Sequence, residues 1–288
     1  MPGKAAERHS GAGRAQADPV SAEARVADAE FPVLYEAVVC SPVAPMHGEP
    51  RVATQMISQQ LAGHYVEVLD EEGDWLRARG ADRYEGWMHK GFLARADRAV
   101  SGAARALDGD RVSLGCVART IAGVARALPL GALLSPEEVV ESGEAMEAAS
   151  VAARFPREPA SVARTALERF MGTSYLWGGV TPWGADCSGL VQTSFALHGV
   201  QLPRDAWQQA EQGRDAGGDV GELVAGDVLF FTDREDHRIT HVGIALGHRR
   251  MVHLALGRGG YAVELLSDRR DPYVQRLRER FVCARRLL

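Results

Sequence analysis

Tyr175-Leu-Trp-Gly-Gly-Val-Thr-Pro-Trp-Gly-Ala-Asp-Cys-Ser-Gly-Leu190 runs from a glycine-rich loop into an amphipathic stretch, Leu190-Val-Gln-Thr-Ser-Phe-Ala-Leu-His-Gly-Val200. The change of pattern places Cys187 at the opening of a helix. A helix N-terminus carries unpaired N–H groups and partial positive charge, which favours thiolate over thiol and is expected to lower the cysteine pKa. The same N–H groups can receive the oxyanion that forms when a thiolate attacks a carbonyl. One position thus offers both requirements of acyl transfer.

A thiol nucleophile needs a base, and two histidines follow downstream. In Thr240-His-Val-Gly-Ile-Ala-Leu246 the alternation puts Val242, Ile244 and Leu246 on one strand face and His241 on the other. In Met251-Val-His-Leu-Ala-Leu256, Val252 and Leu254 share a face and His253 takes the opposite one. A hairpin symmetric about Gly247 would set His241 and His253 directly opposite each other, with Cβ atoms about 5 Å apart. A slip of one residue would separate them. In the favourable register His253 selects the tautomer of His241, as the third member of a triad does.

Working outward, a helix is expected after Pro159, with Val162, Ala166, Leu167 and Phe170 on one face and Gly172 as its stop. A domain of residues 158–288 begins there. Residues 31–98 read as short strands, 33–39, 65–69, 75–79 and 84–88, separated by turn signals such as Glu72-Gly73-Asp74. This is a small β-barrel pattern. The alanine-rich stretch between them reads as either a helix or two strands, and a second, degenerate barrel is the expectation for residues 105–156. Residues 1–30 are rich in Ala, Gly and charge, and are expected to be a disordered N-terminal segment.

The 288 residues suffice for two or three domains, with 46% hydrophobic content and a formal charge of -5. There is no basic surplus for a nucleic-acid partner, and no apolar run long enough to cross a membrane. Four widely separated cysteines lack the close pairs of zinc or redox motifs, so no metal or other cofactor is expected. Cys40, Cys116 and Cys283 sit among apolar neighbours and read as buried small hydrophobes. The opening residues lack the continuous apolar core of a leader, so the expected location is cytoplasmic, secretion requiring a different start site.

The ordered motifs Tyr175-x-Trp-Gly-Gly179, Asp186-Cys-Ser-Gly189, Leu202-Pro-Arg-Asp205, Gly226-Asp-Val-Leu-Phe-Phe231, His241-Val-Gly-Ile244 and Val252-His253 together resemble the NlpC-type family of cell-wall cysteine peptidases. The segment Gly63–Leu93, with Gly73-Asp-Trp75 and Tyr84-x-Gly-Trp87, resembles bacterial SH3-like domains. The resemblance implies an α+β chain: a papain-like catalytic domain, helices packed on an antiparallel sheet, preceded by one or two SH3-like barrels. It implies Cys187 as nucleophile, His241 as base, His253 as orienting residue and Tyr175 near the oxyanion.

Relatives with this domain combination hydrolyse the bond between γ-D-glutamate and a diamino acid, such as diaminopimelate, in peptidoglycan stem peptides, several requiring a free N-terminal L-alanine. By resemblance the partner is therefore L-Ala-γ-D-Glu-diaminopimelate, with Asp205 and the barrel residue Tyr84 holding its amine and Ser188 its α-carboxylate. Each also has a structural reading: Asp205 as cap of the helix that follows it, Tyr84 as barrel core, Ser188 as a helix-start hydroxyl and Asp186 as a brace for the loop. Gln55 stands where related barrels often carry a glutamate, so the charge attracting the amine is reduced. A wall-binding module with a vestigial catalytic domain, and an acyltransferase or amidase on the same fold, are the competing readings.

Overall fold

The computed structural model describes residues 31–96 and 111–288; the expected disordered segment 1–30 and residues 97–110 lie outside them. The first unit contains β1 (Tyr35–Val39), β2 (Val43–His47), β3 (Met56–Leu61), β4 (Tyr65–Glu72), β5 (Trp75–Arg79), β6 (Glu85–His89) and β7 (Leu93–Arg95). They form one seven-stranded antiparallel sheet in the order β3-β2-β6-β5-β4-β1-β7. Alternate residues, among them Ala37, Val39, Met46, Val66, Val68, Leu76, Ala78 and Met88, point inward to a common core. Strand β2 was not legible because Pro42 and Pro45 interrupt its pattern, and β3 because its burial does not alternate residue by residue. β2 bonds to β6 through one residue pair, His47 with Trp87, which leaves that flank tolerant of a residue without an N–H.

The alanine-rich stretch forms strands, not a helix: β8 (Arg111–Arg119), β9 (Ala125–Leu128), β10 (Leu133–Leu134) and β11 (Val139–Glu147). β8 is the centre of this sheet, with β11 on one side and β9 and β10 both on the other. Among the described residues no pairing between β11 and β9 or β10 closes the sheet on itself. Leu61 and Ala62 of the first unit, Leu128 and Leu134 of the second, and Val180 of the third share one core.

The third unit follows α1 (Val151–Arg154) and opens with α2 (Pro159–Arg169), β12 (Val180–Thr181), β13 (Gly184–Ala185), α3 (Cys187–Leu197) and α4 (Ala206–Gln209). Pro159 starts α2 where a missing N–H does no harm, and Gly172 at φ +77° follows its end. Next come β14 (Arg214–Asp215), β15 (Val228–Phe231), β16 (His241–Gly247), β17 (Arg250–Ala255), β18 (Gly260–Leu265), α5 (Pro272–Glu279) and β19 (Phe281–Arg286). The sheet order is β14-β19-β15-β16-β17-β18. One face, with Val228, Phe230, Val242, Ile244, Val252 and Leu254, packs against α2 and α3. The other carries Leu229, Phe231, Ala245 and Met251 and is covered by Leu277 of α5.

The hairpin register differs from the symmetric one. Ile244 pairs with Val252, and a bulge lies between Ala245 and Gly247. The turn falls on His248 and Arg249, both in the left-handed region at φ 52° and 59°, rather than on Gly247. The shift amounts to two residues, so the faces are preserved: His253 becomes the diagonal neighbour of His241 on the same side of the sheet.

Of the three cysteines read as buried, Cys116 is buried and Cys283 half-buried, whereas Cys40 is exposed. Cys40 lies just past the end of β1, so its apolar neighbours in sequence do not share its surroundings.

Candidate active site

Cys187 is the first residue of α3, and Asp186 is its N-cap, accepting from the Gly189 N–H at 2.8 Å. The thiol is 6% exposed and receives backbone N–H groups of Ser188 and Val242. Those donors and Arg204 pull toward thiolate, as expected for a helix N-terminus, but burial outweighs them. Burial, reinforced by the charge of Asp186, pushes the Cys187 thiol up to about 12. The lowering expected from the helix N-terminus is therefore corrected to a net rise, which favours the neutral thiol.

The first histidine is neutral too. Burial, then the charges of His253 and Arg280, hold His241 well below its ordinary value. His241 Nε2 lies 2.7 Å from His253 Nδ1, and His253 Nε2 lies 3.3 Å from Glu264 Oε1. Glu264 also accepts from Arg258 at 2.7 and 3.0 Å. Burial opposes a charge on Glu264, yet His253 and Arg258 hold its carboxyl below the usual value, so it is an acceptor only.

The protons then fall into one order. When His253 is neutral, its Nε2–H donates to Glu264, its Nδ1 accepts from His241 Nε2–H, and Nδ1 of His241 is left as the basic nitrogen. Sequence reading missed Glu264. The signal was one hairpin further on, where Met251 pairs with Glu264 and His253 with Ala262, placing Glu264 diagonally beside His253.

A second polar cluster centres on Arg204, which is 1% exposed and was not singled out from the sequence. Its guanidinium donates to Asp186 at 2.6 and 3.1 Å, to Ser188 Oγ at 2.7 Å and to Ser58 of β3 at 3.3 Å. Burial works against its charge, but Asp186 outweighs burial and the net shift is upward. Ser188 in turn donates to Asp186 at 3.2 Å, and Asp186 also accepts from the Gly178 N–H at 2.8 Å. Asp186 therefore braces the loop and helix start, and the Ser188 hydroxyl is held inside this network.

Asp205 both caps and faces the site. It forms a capping box with Gln208 at the start of α4, while the Tyr84 hydroxyl donates to its two oxygens at 3.2 and 3.4 Å. Burial raises the Asp205 carboxyl against the pull of Arg204 and Tyr84. Tyr84 packs on the barrel core and also spans the boundary to Asp205, so both of its readings hold.

The barrel is pressed close. Gly178, at φ +78°, has no room for a Cβ, which would lie 2.7 Å from the Met56 carbonyl. Gln59 accepts from the Val180 N–H at 3.1 Å, and Gln192 donates to Asp82 at 2.8 Å.

These groups line one cavity of about 780 Å³, with Gln55, Ile57 and Tyr84 from the barrel and Tyr175, Asp186, Cys187, Ser188, Asp205 and His241 from the third unit. His253 stands behind His241, fully buried. Tyr175 is raised by burial first and then by the charges of Cys187 and Asp186, as befits a hydroxyl beside the thiol. Among the described residues no group of three or more His, Cys, Asp or Glu side chains is arranged to hold a metal ion. A neutral thiol, a neutral imidazole with one basic nitrogen, and N–H donors at the sulfur are the parts of nucleophilic acyl transfer.

Residues 172–284 match the NlpC/P60 family, and residues 46–91 match the bacterial dipeptidyl-peptidase SH3 domain. The γ-D-glutamyl-L-lysine dipeptidyl-peptidase of Bacillus subtilis is 39% identical over 99 residues, 34% of this chain and 32% of that protein. Dipeptidyl-peptidase 6 of Lysinibacillus sphaericus is 27% identical over 267 residues, 84% of this chain and 95% of that one. The chain thus spans about a third of the first relative and nearly all of the second. An NlpC/P60 family protein of Bacillus cereus, solved by crystallography, shares the fold with a TM-score of 0.69 at 18% identity, over 88% of this chain and 99% of that one. Residues 172–284 are therefore similar to the NlpC/P60 family, and the preceding residues 46–91 to the bacterial dipeptidyl-peptidase SH3 domain.

Proposed function

We propose that the protein hydrolyses the bond between γ-D-glutamate and a diamino acid in peptidoglycan-derived peptides that carry a free N-terminal L-alanine. The observation that carries this reading is the shared cavity: Tyr84, hydrogen-bonded to Asp205, and Gln55 of the barrel line the same groove as Cys187 and His241. The barrel wall limits chain length, and Asp205 offers a carboxylate to the terminal ammonium.

In the first step His241 Nδ1 takes the Cys187 proton as sulfur attacks the D-glutamyl γ-carbonyl. The N–H groups around Cys187 and the Tyr175 hydroxyl face the developing oxyanion. His241 then protonates the departing amine, and water, activated by the same nitrogen, cleaves the thioester. Both groups begin neutral, so kcat/KM should hold level through neutral pH and fall only as His241 protonates, below 6.5. A pH profile whose acid limb lies above that value contradicts the assignment.

The deciding experiment compares L-Ala-γ-D-Glu-diaminopimelate with its N-acetylated analogue, products being followed by mass spectrometry. Release of diaminopimelate from the free-amine peptide alone is the expected result. Cleavage of both means an open groove, and cleavage of neither removes the reading.

Asp205→Asn keeps a capping side chain but loses the charge. It should raise KM for the free-amine peptide about 30-fold, the equivalent of roughly 2 kcal/mol for an unpaired ammonium in a closed site. An unchanged KM would place the amine elsewhere.

Glu264 is a positioning residue in this scheme, acting through His253. Glu264→Gln should lower kcat roughly 10²-fold while KM stays close to wild type, because an amide can donate as well as accept and no longer dictates the tautomer. A change confined to KM would mean that Glu264 shapes binding instead.

A further inference from the structure

His253 is fully buried, and among the described residues two aromatic rings meet it: His241, with ring centroids 5.0 Å apart, and Tyr273, at 6.1 Å and a tilt of 58°. His241 and Tyr273 both line the active-site cavity, whereas His253 and Glu264 do not. Two rings therefore stand between the cavity and the buried part of the chain that runs from His241 through His253 to Glu264. Only the first of them has a part in the proton transfers.

Tyr273 is held in that place from several directions. It is the second residue of α5, where Asp271 accepts from its backbone N–H at 2.8 Å and Pro272 fixes the turn before it. The Arg258 guanidinium lies over its ring, 4.3 Å from the centroid. Arg258 is itself anchored by Glu264 and Asp271. Gly257 abuts the ring edge, for a Cβ there would lie 3.0 Å from Tyr273 Cε2. Burial first, and then the charge of Glu264, push the Tyr273 hydroxyl up to about 12, so this wall is neutral beside the histidines.

We infer that Tyr273 is a positioning residue for the acyl transfer: its ring holds the His253 imidazole in place and keeps cavity water from the His241–His253–Glu264 chain. The inference rests on the reading of the site given above and concerns how the base is kept in one tautomer. The physical reason is competition for hydrogen bonds. A water admitted beside His253 can donate to Nδ1 or accept from Nε2–H, and either bond releases the imidazole from the orientation in which Nδ1 faces His241 and Nε2 faces Glu264. His241 then loses the partner that leaves its Nδ1 basic. The flat ring does this and the hydroxyl does not, so phenylalanine replaces tyrosine and an aliphatic side chain fails to.

The test compares wild type, Tyr273→Phe and Tyr273→Leu in two measurements. In the first, kinetics with L-Ala-γ-D-Glu-diaminopimelate, Tyr273→Phe should stay within about threefold of wild type in kcat and KM. Tyr273→Leu should lower kcat roughly 30-fold with KM nearly unchanged, short of the ~10² that a displaced reacting group can cost. The second measurement needs no substrate. In proton NMR the ring N–H protons of His241 and His253 should be resolved and slow to exchange in the wild type and in Tyr273→Phe, and broadened by exchange in Tyr273→Leu.

Ring protons that exchange rapidly in the wild type, or are equally protected in all three proteins, overturn the wall. An unchanged kcat in Tyr273→Leu, or a loss confined to KM, overturns the positioning role, and an equal loss in Tyr273→Phe assigns the effect to the hydroxyl and overturns it too. If the wild type cleaves no tripeptide, the function reading fails while the ring protons still judge the wall. Should Tyr273→Leu melt well below wild type, Tyr273→Met, which keeps more of the packed volume, carries the same expectations.

Discussion

Cys187→Ala is expected to lower kcat for the tripeptide by on the order of 10⁶, the scale seen when a nucleophile that works as part of a unit is removed. Nothing else in the cavity replaces it: the other cysteines lie outside the lining, and Ser188 is engaged by Arg204 and Asp186. The fold should survive, since alanine loses one sulfur at the first position of α3 and leaves the Asp186 cap intact. The measurement is single-turnover product release alongside a thermal melt. Activity within tenfold of wild type, with an unchanged melt, would refute the nucleophile assignment. Cys187→Ser should be nearly as inactive, because a hydroxyl asks more of a base whose proton affinity is already reduced by burial.

Arg204→Met carries the largest expected effect on stability. Methionine fills much of the volume, but Asp186 is left 6% exposed and without its cation. Removing one partner of a buried ion pair costs about 3–5 kcal/mol. For a protein of this size that corresponds to a fall in Tm of roughly 10 °C. Ser58 and Ser188 lose a donor in the same step, so the barrel boundary loosens along with the helix start. Adding Asp186→Asn should recover a substantial part of the loss, because asparagine still caps α3 while carrying no charge. If the single variant melts within 2 °C of wild type, the pair is not holding the two units together.

The site was legible where chemistry and local pattern coincide. Cys187 follows a glycine loop and opens a helix; His241 and His253 each sit opposite an apolar strand face, and an even-numbered register shift left them together. Glu264 and Arg204 were hidden for a different reason. Their roles depend on which strand lies beside which and on what covers a cap, and neither is written in the few residues around them. The thiol pKa was misjudged because helix position is local whereas burial is a property of the whole cavity. In the barrel, strands with regular alternation were found, whereas β2, interrupted by proline, and β3, whose burial does not alternate, were not.

The barrel's place in the cavity wall has a consequence for how such a protein can change. The groups proposed to react, Cys187, His241 and His253, all lie in the third unit, while Gln55, Ile57 and Tyr84, which line the same cavity, lie more than a hundred residues before Cys187. Substitutions at Gln55 or Ile57, away from the Ser58 bond to Arg204, would therefore redraw which peptides fit the proposed site while leaving the reacting groups in place. Selection can act on diet and on chemistry through separate parts of the gene, and a residue such as Gln55 is where such divergence would be written first.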